Sequence, residues 1–158
     1  MSVTIARTHS PADFRACARL MAAADPWITL GLDHKKCLKS VSAPLREVYT
    51  AKANGDLAGV IILQMTGAFK GYIQTVCVAP GARSKGLGTL LVKFAERRIS
   101  RESPNIFLCV SSFNRKAQKF YKRLGYVRVG ILKSFIVEGK DELLFRKTLG
   151  PLSGFKAR

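Results

Sequence analysis

The 158-residue sequence predicts a single mixed α/β domain, and three observations carry that reading. Its length and 47% hydrophobic content suffice for one buried core without disulfides or metals. Segments of helical period and segments rich in β-branched residues follow one another in the order α, α, β, β, β, α, β, α, β, β, with no internal repeat and no linker. A strand then leads through a basic, glycine-containing stretch, "ARSKGLGTLL" (82–91), directly into a helix. The domain is expected to span 1–150, with 151–158 as a flexible tail.

Each element has a local cause. Ser10-Pro11-Ala12-Asp13 reads as a helix start, with Ser as N-cap, Pro at the first helical position and Asp at N3. Phe14, Cys17, Ala18 and Met21 continue it at helical spacing until Asp25-Pro26-Trp27 breaks it. A short second helix is expected from Asp33 to Ser40. Glu47–Ala53 and Leu57–Met65 are strand-like, and Asn54-Gly55-Asp56 between them is a hairpin signal. Tyr72–Val78 is a third strand, closed by Pro80-Gly81. Gly88–Ser100 is a helix, with Leu90, Leu91, Phe94, Ala95 and Ile99 expected inward and Lys93, Glu96, Arg97 and Arg98 outward. Ile106–Val110 is a short apolar strand; Asn114–Leu124 is a helix that Gly125 ends in the C′ position. Two last strands, Tyr126–Val129 and Phe135–Val137 running through Leu143–Lys147, surround the turn Glu138-Gly139-Lys140-Asp141.

Composition narrows the function classes. The start, "MSVTIARTHSPADF", has no apolar h-region and predicts no signal peptide. The longest apolar stretch, "LAGVIIL", fits a buried strand and not a membrane span, so no membrane partner is expected. Cys17, Cys37, Cys77 and Cys109 lie far apart with no CxxC pair, which points to free thiols in a reducing cytoplasm. His9 and His34 have no ligand-like spacing, so no metal site is expected. The net charge of +17 favours anionic partners: polyphosphate ligands, acidic proteins or nucleic acid. Between Leu57 and Val137 the only acids are Glu96 and Glu102, so an acidic base on a central strand is absent.

The glycine stretch is a ready-made anion site. Loop and first-turn N–H groups are free there, the helix dipole favours negative charge, and Gly86 and Gly88 allow close backbone approach. A P-loop would need GxxxxGK[ST], and a dinucleotide fingerprint would need glycine at Leu91; neither is present. What remains is Arg83-x-x-Gly86-x-Gly88, which by itself is equally a mundane basic turn.

A second segment resolves the matter. "NRKAQKFYKRLGY" (114–126), taken with "VCVAP" before the loop, resembles the two motifs of the GNAT superfamily of acetyl-CoA-dependent N-acetyltransferases. The first is an apolar strand followed by Q/R-x-x-G-x-G/A and a helix; the second is N-x-x-A-x-x-F-Y-x-x-x-G-F/Y. The resemblance implies a three-layer fold, with a central, mostly antiparallel sheet of six or seven strands flanked by about four helices. It also implies acetyl-CoA as donor and a primary amine, from a peptide or a small molecule, as acceptor; a homodimer is compatible with it.

It implies site residues as well. Val76, Cys77 and Val78 would splay from the next strand and bind the pantetheine arm through their backbone. The N–H groups of Arg83, Ser84, Lys85, Gly86, Leu87, Gly88 and Thr89 would hold the pyrophosphate. Asn114 would contact the cofactor, Lys116 and Lys119 would reach the 3′-phosphate, and Tyr121 would sit near the thioester sulfur. Against these stand ordinary roles: Tyr121 as a core residue, Cys77 as a small core hydrophobe without a base companion, the cations as solvated surface.

The chemistry needs a neutral amine, a stabilised oxyanion and a protonated leaving thiolate. The N–H of Cys77 or Val78 would polarise the thioester carbonyl, and Tyr121 is the acid for the thiolate. The base is where the chain departs from the pattern: many relatives carry Glu on the strand before the loop, and the matching position is Gln74. An amide orients a water but takes no proton. Lysine-type amines titrate at about 10.4 and α-amines at about 8, so a weak base favours an α-amine acceptor. Asp141 and Glu142 are alternative proton acceptors, although a solvated hairpin end is the plainer reading of both. Trp27, in "ADPWITL", is a candidate for the acceptor wall. Two other readings stay open: a non-catalytic acetyl-CoA-binding module, and a basic protein associated with nucleic acid or the ribosome. Against the second, the sequence has no specific nucleic-acid motif: no helix-turn-helix, zinc spacing or aromatic β platform.

Overall fold

The computed structural model describes residues 2–157. Its elements run β1 (Val3–Arg7), α1 (Pro11–Ala22), α2 (His34–Val41), β2 (Arg46–Ala53), β3 (Asp56–Gln64), β4 (Tyr72–Val78), α3 (Leu87–Ile99), β5 (Asn105–Ser111), α4 (Arg115–Arg123), β6 (Val127–Val137) and β7 (Lys140–Thr148). Seven strands form one sheet in the order β1-β2-β3-β4-β5-β7-β6. Every neighbouring pair is antiparallel except β4 and β5, which are parallel.

The local signals act as expected at most boundaries. Ser10 accepts the Asp13 N–H at 3.4 Å, and Asp33 accepts the Lys36 N–H at 2.9 Å, so both early helices begin on side-chain caps. Asn54 and Gly55 have φ of 53° and 89° between the paired residues Ala53 and Asp56, the two positive angles of a type I′ hairpin.

Three expectations need correction. The sequence reading begins with a helix, but β1 precedes it as an edge strand on β2; its five residues bury too little for alternation to announce it. Leu90 is 41% exposed, and α3 buries Leu87, Leu91, Val92, Ala95 and Ile99 instead, a stripe at helical spacing from whose centre Leu90 is turned away. The last two strands are not broken pieces: β6 runs continuously from Val127 to Val137 and pairs with β7 through two irregularities.

Two cores sandwich the sheet. Ile61 and Leu63 of β3 face one with Leu91, Ala95 and Phe145, while Val60 and Ile62 face the other with Cys17, Met21 and Val41. All four β3 side chains are fully buried, as a central strand covered on both faces requires. A buried ion pair fastens α3 to β2: Arg98 donates to the two Glu47 carboxylate oxygens at 3.0 and 2.7 Å. Burial works to raise the Glu47 pKa, but hydrogen bonds from Arg98 and Tyr49 outweigh it and hold the carboxyl below its usual range.

Candidate active site

The site begins at a defect in β4. Ile62 of β3 pairs with Thr75 and Leu63 pairs with Ile73, so Gln74 is an extra residue, a β-bulge. Parallel pairing of β4 with β5 is confined to Tyr72–Phe107 and Ile73–Leu108. From Gln74 onward the two strands part, and a wedge opens between them.

Strand alternation decides which backbone groups face the wedge. The Ala79 N–H donates to the Ala58 carbonyl at 2.8 Å, so Ala79 and, two residues back, Cys77 turn their backbone toward β3. Val76 and Val78 turn theirs toward the opening. This corrects the expectation for Cys77, whose N–H is spent on the sheet and whose side chain is 4% exposed in the α1–α2 core. Burial pushes its thiol up to about 12, so it stays protonated. The Val78 carbonyl in turn accepts from Arg83 Nε at 3.1 Å.

The loop after β4 passes through a short 3-10 turn (Pro80–Ala82) and two left-handed residues, Ser84 at φ 60° and Gly86 at φ 81°. Gly86 is the N-cap of α3 and offers no side-chain cap. The N–H groups of residues 84–89 have no acceptor among the described residues; the first bond of the helix is Leu90 N–H to Gly86 C=O at 3.0 Å. Six free donors at a helix start, curved by left-handed residues, form an anion cradle. Gly88 faces Phe120, and an added Cβ would touch that ring at 3.5 Å on the cleft side. Side chains contribute less than expected. Lys85 Nζ folds back onto the Gly81 carbonyl at 2.9 Å, and Leu87 is buried in the core.

Across the wedge, α4 begins on Asn114, whose Oδ1 accepts the Ala117 N–H at 3.1 Å. A groove of about 600 Å³ runs between these parts, lined by Val76, Val78, Ser84, Gly88, Lys116 and Phe120. Lys119 does not line it. Arg123 does, one step along the stripe 116–120–123, and helical spacing from Lys116 would have found it.

At its inner end the groove meets a smaller pocket of about 130 Å³. Trp27, Val76, Asn114, Ala117 and Tyr121 belong to both. Tyr121 is 8% exposed, edge-on to Phe120 and Tyr126, and burial raises its hydroxyl above the usual phenol range. Trp27 forms the wall on the α1–α2 side together with Leu30 and Leu32.

Gln74 and Glu142 supply the polar lining. Gln74 Nε2 donates to Ser40 Oγ at 2.7 Å, which leaves Oε1 buried and without a partner. The expectation for the hairpin end divides here. Asp141 is held outside the pocket, accepting from Lys133 Nζ at 2.8 Å and from the Ser134 N–H at 3.1 Å. Glu142 is no solvated hairpin residue: it is 3% exposed, lines the pocket, and accepts the Ser111 hydroxyl at 2.6 Å. Burial raises its carboxyl above the ordinary range, and the Ser111 bond offsets part of that rise. No residue-type signal marked it, because its inward direction depends on the β5–β7 register that pairs Ser111 with Glu142.

Comparison with known proteins agrees with this layout. The acetyltransferase (GNAT) family matches residues 14–126. The N-alpha-acetyltransferase RimI of Mycobacterium tuberculosis is 26% identical over 151 residues, covering 88% of this chain and 89% of that protein. An N-alpha-acetyltransferase of Sulfurisphaera tokodaii is 24% identical over 114 residues, 64% of this chain and 68% of that one. Among solved structures, an aminoglycoside 6′-N-acetyltransferase complexed with coenzyme A shares the fold at a TM-score of 0.74 and 19% identity, over 96% of this chain and 98% of that one. The Escherichia coli ribosomal-protein-S18-alanine N-acetyltransferase matches at a TM-score of 0.74 and 18% identity, over 97% of each chain. With a family match spanning both the splayed strand and the α4 motif, the chain belongs to the acetyltransferase (GNAT) family and is an acyltransferase.

Proposed function

We propose that this protein transfers the acetyl group of acetyl-CoA to a primary amine by direct attack, with a polypeptide α-amine as the favoured acceptor. The observation that carries the reading is the junction at Tyr121, where an anion-cradling groove meets a smaller pocket that holds Gln74, Ser111 and Glu142 in its lining. The N–H groups of residues 84–89 hold the pyrophosphate, and Lys116 and Arg123 face the charged end. Val76 and Val78 offer backbone groups to the pantetheine arm. The Val78 N–H is the donor for the thioester oxygen, since the Cys77 N–H belongs to β3. Tyr121, kept protonated by burial, gives its proton to the departing thiolate. Gln74 orients the amine or a water beside it. Trp27 walls the acceptor.

An α-amine suits a pocket lined by no cation, and both relatives described above are named N-alpha-acetyltransferases. The +17 charge adds a preference. Arg15, Arg19, Lys35, Lys36 and Lys39 on α1 and α2 make no ion pair among the described residues, and the α1–α2 connection is the pocket wall. An acceptor chain bearing acidic residues after its first position fits that surface. The four cysteines are unpaired, in keeping with a reducing cytoplasm.

The test is direct. Saturating acetyl-CoA raises the melting temperature by about 5 to 10 °C, and thiol release follows addition of peptides with free N-termini, fastest for those with acidic second-to-fifth residues at low salt. No thermal shift with acetyl-CoA overturns the assignment. A shift without thiol release on any amine leaves a binding module instead.

A further inference from the structure

Nothing in the motif pattern supplies a base, yet the acceptor pocket contains one. The proposal rests on the reading above and names how the amine is held and deprotonated. Three observations converge on the same wall. Glu142 is the sole carboxylate lining the pocket among the described residues, it is almost wholly buried, and its recorded hydrogen bond comes from the Ser111 hydroxyl. It has no salt bridge among the described residues, which is an uneconomical arrangement for a carboxylate kept only for structure. Gln74, which lines the same pocket, is anchored through Nε2 by Ser40, and its carbonyl oxygen is buried with no partner. An acceptor without a partner and a buried carboxylate in the lining of one pocket suit something that donates N–H bonds.

We propose that Glu142 is the general base of the reaction and that Gln74 Oε1 receives one N–H of the incoming amine. Ser40, at the end of α2, is a positioning residue that fixes which end of the Gln74 amide faces the substrate. The neutral amine binds with one hydrogen on Gln74 Oε1. As its nitrogen lone pair forms the C–N bond to the acetyl carbon, a proton passes from that nitrogen to the Glu142 carboxylate, directly or through one water. The C–S bond then breaks with its electron pair leaving on sulfur, and the Tyr121 hydroxyl protonates that thiolate. Glu142 returns its proton to solvent and Tyr121 regains one from it. The balance is amine plus acetyl thioester to amide plus thiol.

The surroundings are suited to this cycle. From β4 and β5, Tyr72 and Cys109 face Glu142, and burial keeps both protonated, so neither competes for the role. From α4 the facing group is Tyr121; from β6 it is the apolar Ile136. Arg46 of β2 reaches toward Tyr72 but makes no bond to Glu142. Asp141 and Lys133 pair with each other at 2.8 Å outside the pocket.

The experiment uses the full chain with an acceptor amine of low basicity, neutral across the assay range, so that the acceptor's own titration stays out of the profile. Glu142→Gln should lower kcat about 100-fold at neutral pH and abolish the acid limb of the kcat profile. Glu142→Asp should recover part of the rate. Ser111→Ala should move the acid limb to higher pH, because it removes a bond that favours the charged carboxylate. Two further readings separate chemistry from structure. The acetyl-CoA dissociation constant should stay within about twofold. The melting temperature of Glu142→Gln should hold or rise near neutral pH: a carboxyl whose pKa is raised by folding contributes stability only below that value, so removing its charge costs nothing above it. An unchanged acid limb or a rate within about threefold of wild type overturns the proposal, as does a collapse in melting temperature with equal loss of cofactor binding. Failure of the wild type itself to release thiol overturns the acetyltransferase reading instead.

Discussion

The groove along α3 and α4 offers a ligand mainly main-chain groups, whereas the smaller pocket at its inner end offers side chains. At the groove the main-chain groups on offer are those of Val76 and Val78 and of the 84–89 loop, of which Ser84 and Gly88 line it. Two local stretches, 76–88 and 114–123, supply most of its lining, and residues 23–28 of the α1–α2 connection supply the rest. The pocket instead draws Trp27 from a connection, Gln74 from β4, Ser111 from β5, Tyr121 from α4 and Glu142 from β7. A site made of backbone is insensitive to side-chain identity except where conformation demands glycine. One made of side chains depends on each of them and on the register that aims it.

Substitutions on each side of the junction sharpen this contrast. The largest effect is expected at Tyr121, which belongs to both regions. Tyr121→Phe should cut kcat by about 100-fold or more and leave acetyl-CoA affinity within about twofold; equal losses in both would make the ring a packing element. Gly86→Val comes next, because a β-branched residue at φ 81° costs about 1–2 kcal/mol and bends the cradle. Calorimetry should show acetyl-CoA binding about tenfold weaker, with kcat at saturation little changed. The smallest effect belongs to Lys85→Ala. Its ammonium is tied to the Gly81 carbonyl, so affinity should fall by less than about threefold and the difference should vanish as salt rises. A large loss at Lys85 and a small one at Gly86 would break the comparison.

The same contrast explains what could be read in advance. Gly86, Gly88 and Asn114 announce themselves because they do local work: the first takes a left-handed turn, the second leaves the helix start without a side chain toward Phe120, and the third caps the helix that follows it. Tyr121 was legible through its place in a motif. Cys77 and Val78 were not distinguishable by sequence, since a bulge at Gln74 and the Ala79–Ala58 bond set which of them turns to the wedge. Lys119 and Arg123 exchanged places for a similar reason. Both are cations on α4, and the lie of the helix against the sheet decides which of the two flanks Phe120 in the groove. β1 escaped notice because five half-exposed residues on an edge carry too little burial for a pattern.

Glu142 is the most instructive case. Beside Asp141 and a Glu-Gly-Lys turn it reads as solvated, and its neighbour indeed is. Only the pairing of Ser111 with Glu142 turns one carboxylate inward while the adjacent one meets Lys133 outside.

By itself, the sequence determined the order of elements from α1 onward, most of their caps and turns, and a loop whose glycine and free N–H groups suit an anion. These depend on backbone preferences and hydrogen bonds within a few residues. The tertiary structure alone decided which carboxylate is buried, which amide oxygen is left without a partner, and that both residues line one small pocket. Those outcomes depend on register between strands far apart in the chain, where shifting a strand by one residue exchanges its buried and exposed faces.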